Sequence, residues 1–312
     1  MPNQKTAQNA LSARTSNNPP TCQTTTQMTG TLNLNGGILG KTINGAGTTN
    51  ILGSVTSNSA INQAINIAAN SGLTIGAGRV GGDVNNAGNI FLKDGTLLKA
   101  ITGDGTSNIV GTVTSNAAIS QNISISSAGK LTISADNVGG NVNNDGDIYL
   151  NSGTLINTIA GDGTTNVTGA VTSNSAINQE IDIAVNGGLT AAASNIGGAV
   201  SNAGNIYLTG GMLSNAISGS GTTNITGVVS SNSVISQAIS ITGALTTNAG
   251  NIGGAVTNSG SLILSGGELS KSVIGSGSAT VTADLTNTGG INQAVTVNSG
   301  VTLTNNAALG SN

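Results

Sequence analysis

Residues 101–158 read ITGDGTSNIVGTVTSNAAISQNISISSAGKLTISADNVGGNVNNDGDIYLNSGTLINT. Short runs in this stretch alternate apolar and polar residues, and Gly, Asn and Ser separate them. Alternation with a period of two is the mark of a strand with one buried face. In ISQNISI, Ile119, Ile123 and Ile125 point inward and Ser124 outward. In DIYL, Ile148 and Leu150 point inward and Tyr149 outward. No window carries a capped 3.6-residue apolar period, so no helix is expected beyond a small end cap.

The stretch recurs. Its counterparts open at Ile43 (INGAGTTNILGSVTSNSAINQAINI), Ile159 (IAGDGTTNVTGAVTSNSAINQEIDI) and Ile217 (ISGSGTTNITGVVSSNSVISQAISI), each 58 residues from its neighbour. A fifth copy opens at Val273 after 56 residues, the two missing residues lying between Gln237 and Gly253. The repeats therefore run 43–100, 101–158, 159–216 and 217–272, with a partial copy at 273–312. A partial leading copy, TLNLNGGILGKT, spans Thr31 to Thr42. Each repeat divides into three stretches of about 18 to 21 residues, the size of one β-helix coil. The fold expected is all-β: a single-stranded parallel β-helix, or β-solenoid, of about 15 coils of roughly 19 residues, with three coils per 58-residue repeat. It occupies residues 30–312. Residues 1–29 form a polar, non-repetitive segment, either disordered or capping the first coil. All three prolines, Pro2, Pro19 and Pro20, lie in that segment, as expected if the repeats are central strands that need every backbone donor.

Composition excludes several classes. Charged residues make up 6% and aromatic residues 1% of the chain, yet 37% of residues are apolar and the net charge is −3. The highly charged, weakly hydrophobic route to disorder does not fit. The eight Lys and Arg residues are scattered, so no nucleic-acid or acidic-lipid surface is expected. Without histidine, Ser–His–Asp, Cys–His and His-based metal sites are impossible. Cys22 is the only cysteine and reads as incidental. No apolar run is long enough to span a membrane, so no direct membrane insertion is expected. The first thirty residues lack the apolar run of a signal peptide. Either export takes another route or the natural N-terminus is missing.

The copies compare one position with itself. Gly81-Gly82 recurs as Gly139-Gly140, Gly197-Gly198 and Gly253-Gly254, and reads as a tight corner with positive φ. Gln63, Gln121, Gln179, Gln237 and Gln293 share one position, and Asn58, Asn116, Asn174 and Asn232 another. These amides read as a structural turn ladder, with a polar ligand-binding ladder as the competing reading. Phe91, Tyr149, Tyr207 and Ile263 share a third position and are expected to form one outward column, a possible surface-contact site. Gly103-Asp104-Gly105 and Gly161-Asp162-Gly163 read as turns, since no lysine and helix follow and the nine-residue calcium period is absent. Thr112-Val113-Thr114 has the form of an ice-binding row, but LTI and IYL in the following coils do not continue it.

Asp145 and Asp147, two residues apart, are expected on one face of one strand. Paired carboxylates can perform acid–base work or hold Ca²⁺. The pair occurs in one repeat only, so the reading is no enzyme, with no catalytic, cofactor-binding or metal-ligating residue assigned and no cofactor required.

The repeats GSGTTNITG, NAGNIYLTGG and TVNSGVTLTNNAALG resemble the passenger regions of bacterial autotransporters, and among these the large surface antigens of rickettsia-type bacteria. The resemblance covers about Gly30 to Asn312. No translocator barrel and no signal peptide accompany it in this chain. It implies a right-handed parallel β-helix, located at the bacterial cell surface or outside the cell. It also implies a non-catalytic adhesin whose partner is a host or bacterial surface protein or glycan, or the chain itself. A self-assembling fibre or spike subunit, and a polysaccharide-degrading β-helix enzyme centred on Asp145 and Asp147, are the alternatives.

Overall fold

All strand pairings in the structure, a computed structural model that describes residues 26–310, are parallel. Each joins a strand to the one a coil below or a coil above. Asn89–Lys93 lies on Gly72–Gly76 and under Thr106–Ile109, which lies in turn under Asn122–Ile125. The ladder thus spirals along the rod as a β-solenoid of about 16 turns and does not close into a barrel. At the parallel-strand spacing of about 4.8 Å the stack is about 77 Å long. The first described strand, Thr26–Gln27, pairs with Ile43–Asn44, so the stack includes at least the four residues before Gly30.

Alternation drives the fold as the sequence suggests. Ile119, Ile123, Ile125, Ile148 and Leu150 are all buried, while Ser124 and Tyr149 face outward and are half-buried. Inward residues stack in columns, as in Ile75, Leu92, Ile109 and Ile125. Each such side chain stabilises the fold by about 1.5–3 kcal/mol relative to exposure. Pairing by the next coil leaves strand edges only at the two ends of the stack.

The repeat and the turn are out of step, and this corrects the three-coil repeat. One coil has three sides: from Ile43 the chain runs through Ile43–Asn44, Thr48–Ile51 and Ser54–Ser57 before Ile61 stacks on Ile43. One repeat supplies ten sides: 43–44, 48–51, 54–57, 61, 64–67, 72–76, 77–80, 84–86, 89–93 and 95–97. Ten sides on a three-sided coil make three turns and one side over. Hence Ile101, the counterpart of Ile43, stacks on Val84 and not on Val80. Each repeat begins one face further around the rod. The extra side is the short strand Gly95–Leu97, which the 21-residue third stretch of each repeat contains beside its other three.

The corners take up length changes. Four residues, 126–129, join Asn122–Ile125 to Lys130–Ile133; only Thr242 and Gly243 make the corresponding corner in the fourth repeat. The two-residue deletion falls there and leaves the strands intact. The paired glycines are needed for space, not for positive φ. Gly82, Gly140, Gly198 and Gly254 all lie outside the positive-φ set, but a Cβ at Gly198 would meet the Gln179 carbonyl oxygen at 2.1 Å. The coil below passes too close for any side chain. The first glycine of the Gly-Asp-Gly corners does need its conformation, at φ 107° for Gly103 and 126° for Gly161.

Candidate interaction surface

The glutamine positions, read as a structural turn ladder, point their side chains into the stack. Gln63, Gln121, Gln179, Gln237 and Gln293 are all buried. Gln121 Nε2 donates to Ser107 Oγ at 2.7 Å and Gln179 Nε2 to Thr165 Oγ1 at 2.8 Å, in each case one coil below. The partner is Thr49 for Gln63 and Thr223 for Gln237. A buried asparagine lies another coil down. Turned so that Oε1 faces Thr223, the Gln237 amide also accepts from Asn202 Nδ2 at 2.8 Å. In the fifth copy Ala279 replaces the hydroxyl residue, and Gln293 Oε1 accepts directly from Asn258 Nδ2 at 3.3 Å. These polar groups fall on the inward parity of Ile119, Gln121 and Ile123, a signal the sequence carried.

The asparagines Asn86, Asn144, Asn202 and Asn258 are fully buried and escaped sequence reasoning. Each holds a corner: Asn144 Nδ2 donates to the Thr164 carbonyl at 3.1 Å, and Asn144 Oδ1 accepts from the Gly146 amide at 3.2 Å. Asn58, Asn116, Asn174 and Asn232 are exposed. The turn hydrogen bond at those corners belongs to the preceding serine, as in Ser173 Oγ to the Ser175 carbonyl at 2.7 Å. An outward amide ladder does form, built from other positions on successive coils. Asn66 donates to Asn50 at 3.1 Å and Asn50 to Asn33 at 2.9 Å.

Two of the exposed asparagines line open grooves. One, of about 460 Å³, is bordered by Met212, Ser230, Asn232, Thr246, Asn248 and Asn251. The other, of about 240 Å³, has Thr172, Asn174, Thr190, Asn195 and Thr209 along it. They are one repeat apart and share an architecture, in which a 3-10 turn (Ala193–Asn195 or Ala249–Asn251) flanks the groove. Hydroxyls and amides line both, and no charged side chain does.

The aromatic residues do not form one column. Because each repeat advances by one face, Phe91, Tyr149 and Tyr207 lie on three different faces, and Ile263 returns to the face of Phe91. Each sits in a separate lane, above two threonines: Thr56 and Thr74 below Phe91, Thr114 and Thr132 below Tyr149, Thr172 and Thr190 below Tyr207. Below Ile263 lie Ser230 and Thr246. Tyr207 is the most open, at 37% exposure. The Phe91 ring lies over Gly72 of the coil below, 3.6 Å from where a Cβ there would be. Beside Thr114 and Thr132 the second outward position holds Thr112, then Lys130, then Asp147, so no double threonine row forms.

Asp145 and Asp147 do not share a strand face. Asp145 sits in the corner after Val142–Asn144, and Asp147 begins the next strand. Asp147 Oδ2 is 2.9 Å from Lys130 Nζ, directly below it. The hydrogen bond and charge of Asp147, with Tyr149 adding to them, raise the Lys130 pKa above 10.5. Other carboxylates serve corners: Asp94 and Asp136 accept from the amides of Thr112 and Thr154, at 2.7 and 2.8 Å. Cys22 lies outside the described residues.

No family model matches the chain, no curated protein matches its sequence, and no solved structure matches it.

Proposed function

We propose that the chain is a non-catalytic scaffold at the bacterial surface or outside the cell, and that its walls make spread, weak contacts with a surface protein or glycan. The observation that carries this reading is the rotation of the repeat. The same outward unit, an aromatic or aliphatic side chain above two hydroxyl residues, recurs every three and one-third turns, each time on the next of the three faces. A rod built this way offers the same contact in every direction, which suits attachment by many equal sites. The grooves beside Asn174 and Asn232 present neutral donors and acceptors, matching hydroxyl-rich glycans or neutral peptide and not phosphate or other anions.

The polysaccharide-cleaving reading is weakened by the geometry. Asp147 is held by Lys130, and Asp145 belongs to a separate corner. The test is retention of bacterial or host cells, and of a glycan panel, on immobilised full chain. Retention is expected, and Tyr149→Ala combined with Tyr207→Ala should reduce it at least about threefold without altering the strand-type circular dichroism. Absence of retention on every surface would contradict the proposal. Polysaccharide cleavage by the wild type that Asp147→Asn abolishes would replace it with the enzyme reading.

A further inference from the structure

The neutral grooves of the third and fourth repeats have a charged counterpart in the first. Asn195 and Thr209 border one neutral groove, Asn251 and Ser265 the other. By the repeat, the same two positions hold Arg79 and Lys93 in the first copy and Asn137 and Asn151 in the second. Thr56, Asn58 and Thr74 keep the hydroxyl and amide positions that Thr172, Asn174 and Thr190 fill beside the neutral groove.

The fold brings the two cations to one glycine. Lys93 stacks on Gly76 from the coil above, a step of about 4.8 Å. Arg79 ends the 3-10 turn Ala77–Arg79 and folds back over the same residue, its Cδ 3.5 Å from where a Cβ on Gly76 would be. Both side chains are exposed. Among the described residues Lys130 and Asp147 form the one ion pair, so neither cation has a carboxylate partner. Asp94 follows Lys93, but its Oδ1 accepts from the Thr112 amide of the coil above at 2.7 Å. Asp83 lies past Val80, in the corner that leads to the next side. Two like charges anchored this close repel each other until an anion lies between them. Phe91, two residues before Lys93 on the same outward face, stands over Thr74 and adds an apolar surface beside the charges.

We infer that this corner binds an acidic sugar residue of a polysaccharide. Its carboxylate or sulfate lies between Arg79 and Lys93, and its ring lies against Phe91 and the hydroxyls of Thr56 and Thr74. The guanidinium offers paired N–H donors to such an oxyanion, and the lysine adds a point charge. Two cations are too few to hold a polyphosphate backbone. The net charge of −3 gives the chain no general attraction for polyanions, so selectivity for acid comes from this corner. The site rests on the proposed glycan contact and adds to it a position and a charge preference.

The test is equilibrium binding of the full chain to polygalacturonate, to the same polymer with its carboxylates methyl-esterified, to dextran sulfate, to dextran and to duplex DNA. The acidic polysaccharides should bind at least about tenfold more tightly than their neutral forms, and added salt should weaken them. Arg79→Asn with Lys93→Thr installs the neutral residues of the third repeat, which the same fold already accommodates. It should abolish the preference and leave binding of the neutral polymers unchanged. Lys271→Asn removes a charge from a distant corner and should keep the preference. Asn195→Arg with Thr209→Lys should create a second acidic-sugar site and raise the binding stoichiometry. Neutral polymers bound without any acidic preference, or a preference that survives Arg79→Asn with Lys93→Thr, would overturn the site alone. Duplex DNA bound as tightly as the acidic polysaccharides would overturn it in favour of a general polyanion contact. Failure of every glycan to bind would overturn the proposed glycan contact together with it.

Discussion

Gln179 donates from Nε2 to Thr165 Oγ1, 2.8 Å away and one coil below, with both side chains inside an otherwise aliphatic stack. Burying an amide without a partner costs more than the bond itself contributes. Thr165→Val should therefore destabilise the chain by about 1–3 kcal/mol in urea unfolding. Adding Gln179→Leu should recover most of that loss, giving a double-mutant coupling well above the additive limit. Strict additivity would show that the two groups do not interact.

Gly198 and Gly188 make a matched pair. A Cβ at Gly198 would lie 2.1 Å from the Gln179 carbonyl oxygen, whereas one at Gly188 meets nothing within 4 Å. Gly198→Ala should cost about 1–3 kcal/mol, as overpacking does. Gly188→Ala should be neutral within about 0.5 kcal/mol. Equal effects on the denaturation midpoint would refute the close passage of the coil below.

The Lys130–Asp147 pair sets a pH dependence. The folded-state pKa of Lys130 is raised, so its contribution is fully present below its ordinary value of 10.5 and is lost as pH rises through the raised value. The wild type should melt above Lys130→Met at neutral pH by a small margin, since both partners are partly exposed. That margin should shrink in high salt and close at alkaline pH. A margin that grows with pH above 10.5 would contradict the pairing.

Strand direction, parity and the aliphatic core could be read directly from the sequence, because alternation reports which residues face inward. Ile148 and Leu150 inward with Tyr149 outward is the plainest case. Alternation does not count corners. The extra side at Gly95–Leu97 is three residues long and adds no clear pattern of its own, so the step of one face per repeat stayed hidden. With it went the placement of Phe91, Tyr149 and Tyr207 on separate faces. The glutamines lie on inward parity, but their partner could not be read from one coil: Gln121 Nε2 donates to Ser107 on the coil below. Lys130 and Asp147 are 17 residues apart, a spacing that becomes a contact only once the coil length is fixed.

The step of one face per repeat is most directly tested by where Asn108 sits. It stacks outward on Phe91, whereas a repeat of three whole coils would put it on Asn85. In a Cys22→Ser background, Asn108→Cys with Phe91→Cys should form an intrachain disulfide on oxidation, and Asn108→Cys with Asn85→Cys should remain reduced. The reverse outcome, with the Asn85 pair bonded and the Phe91 pair free, would contradict the account.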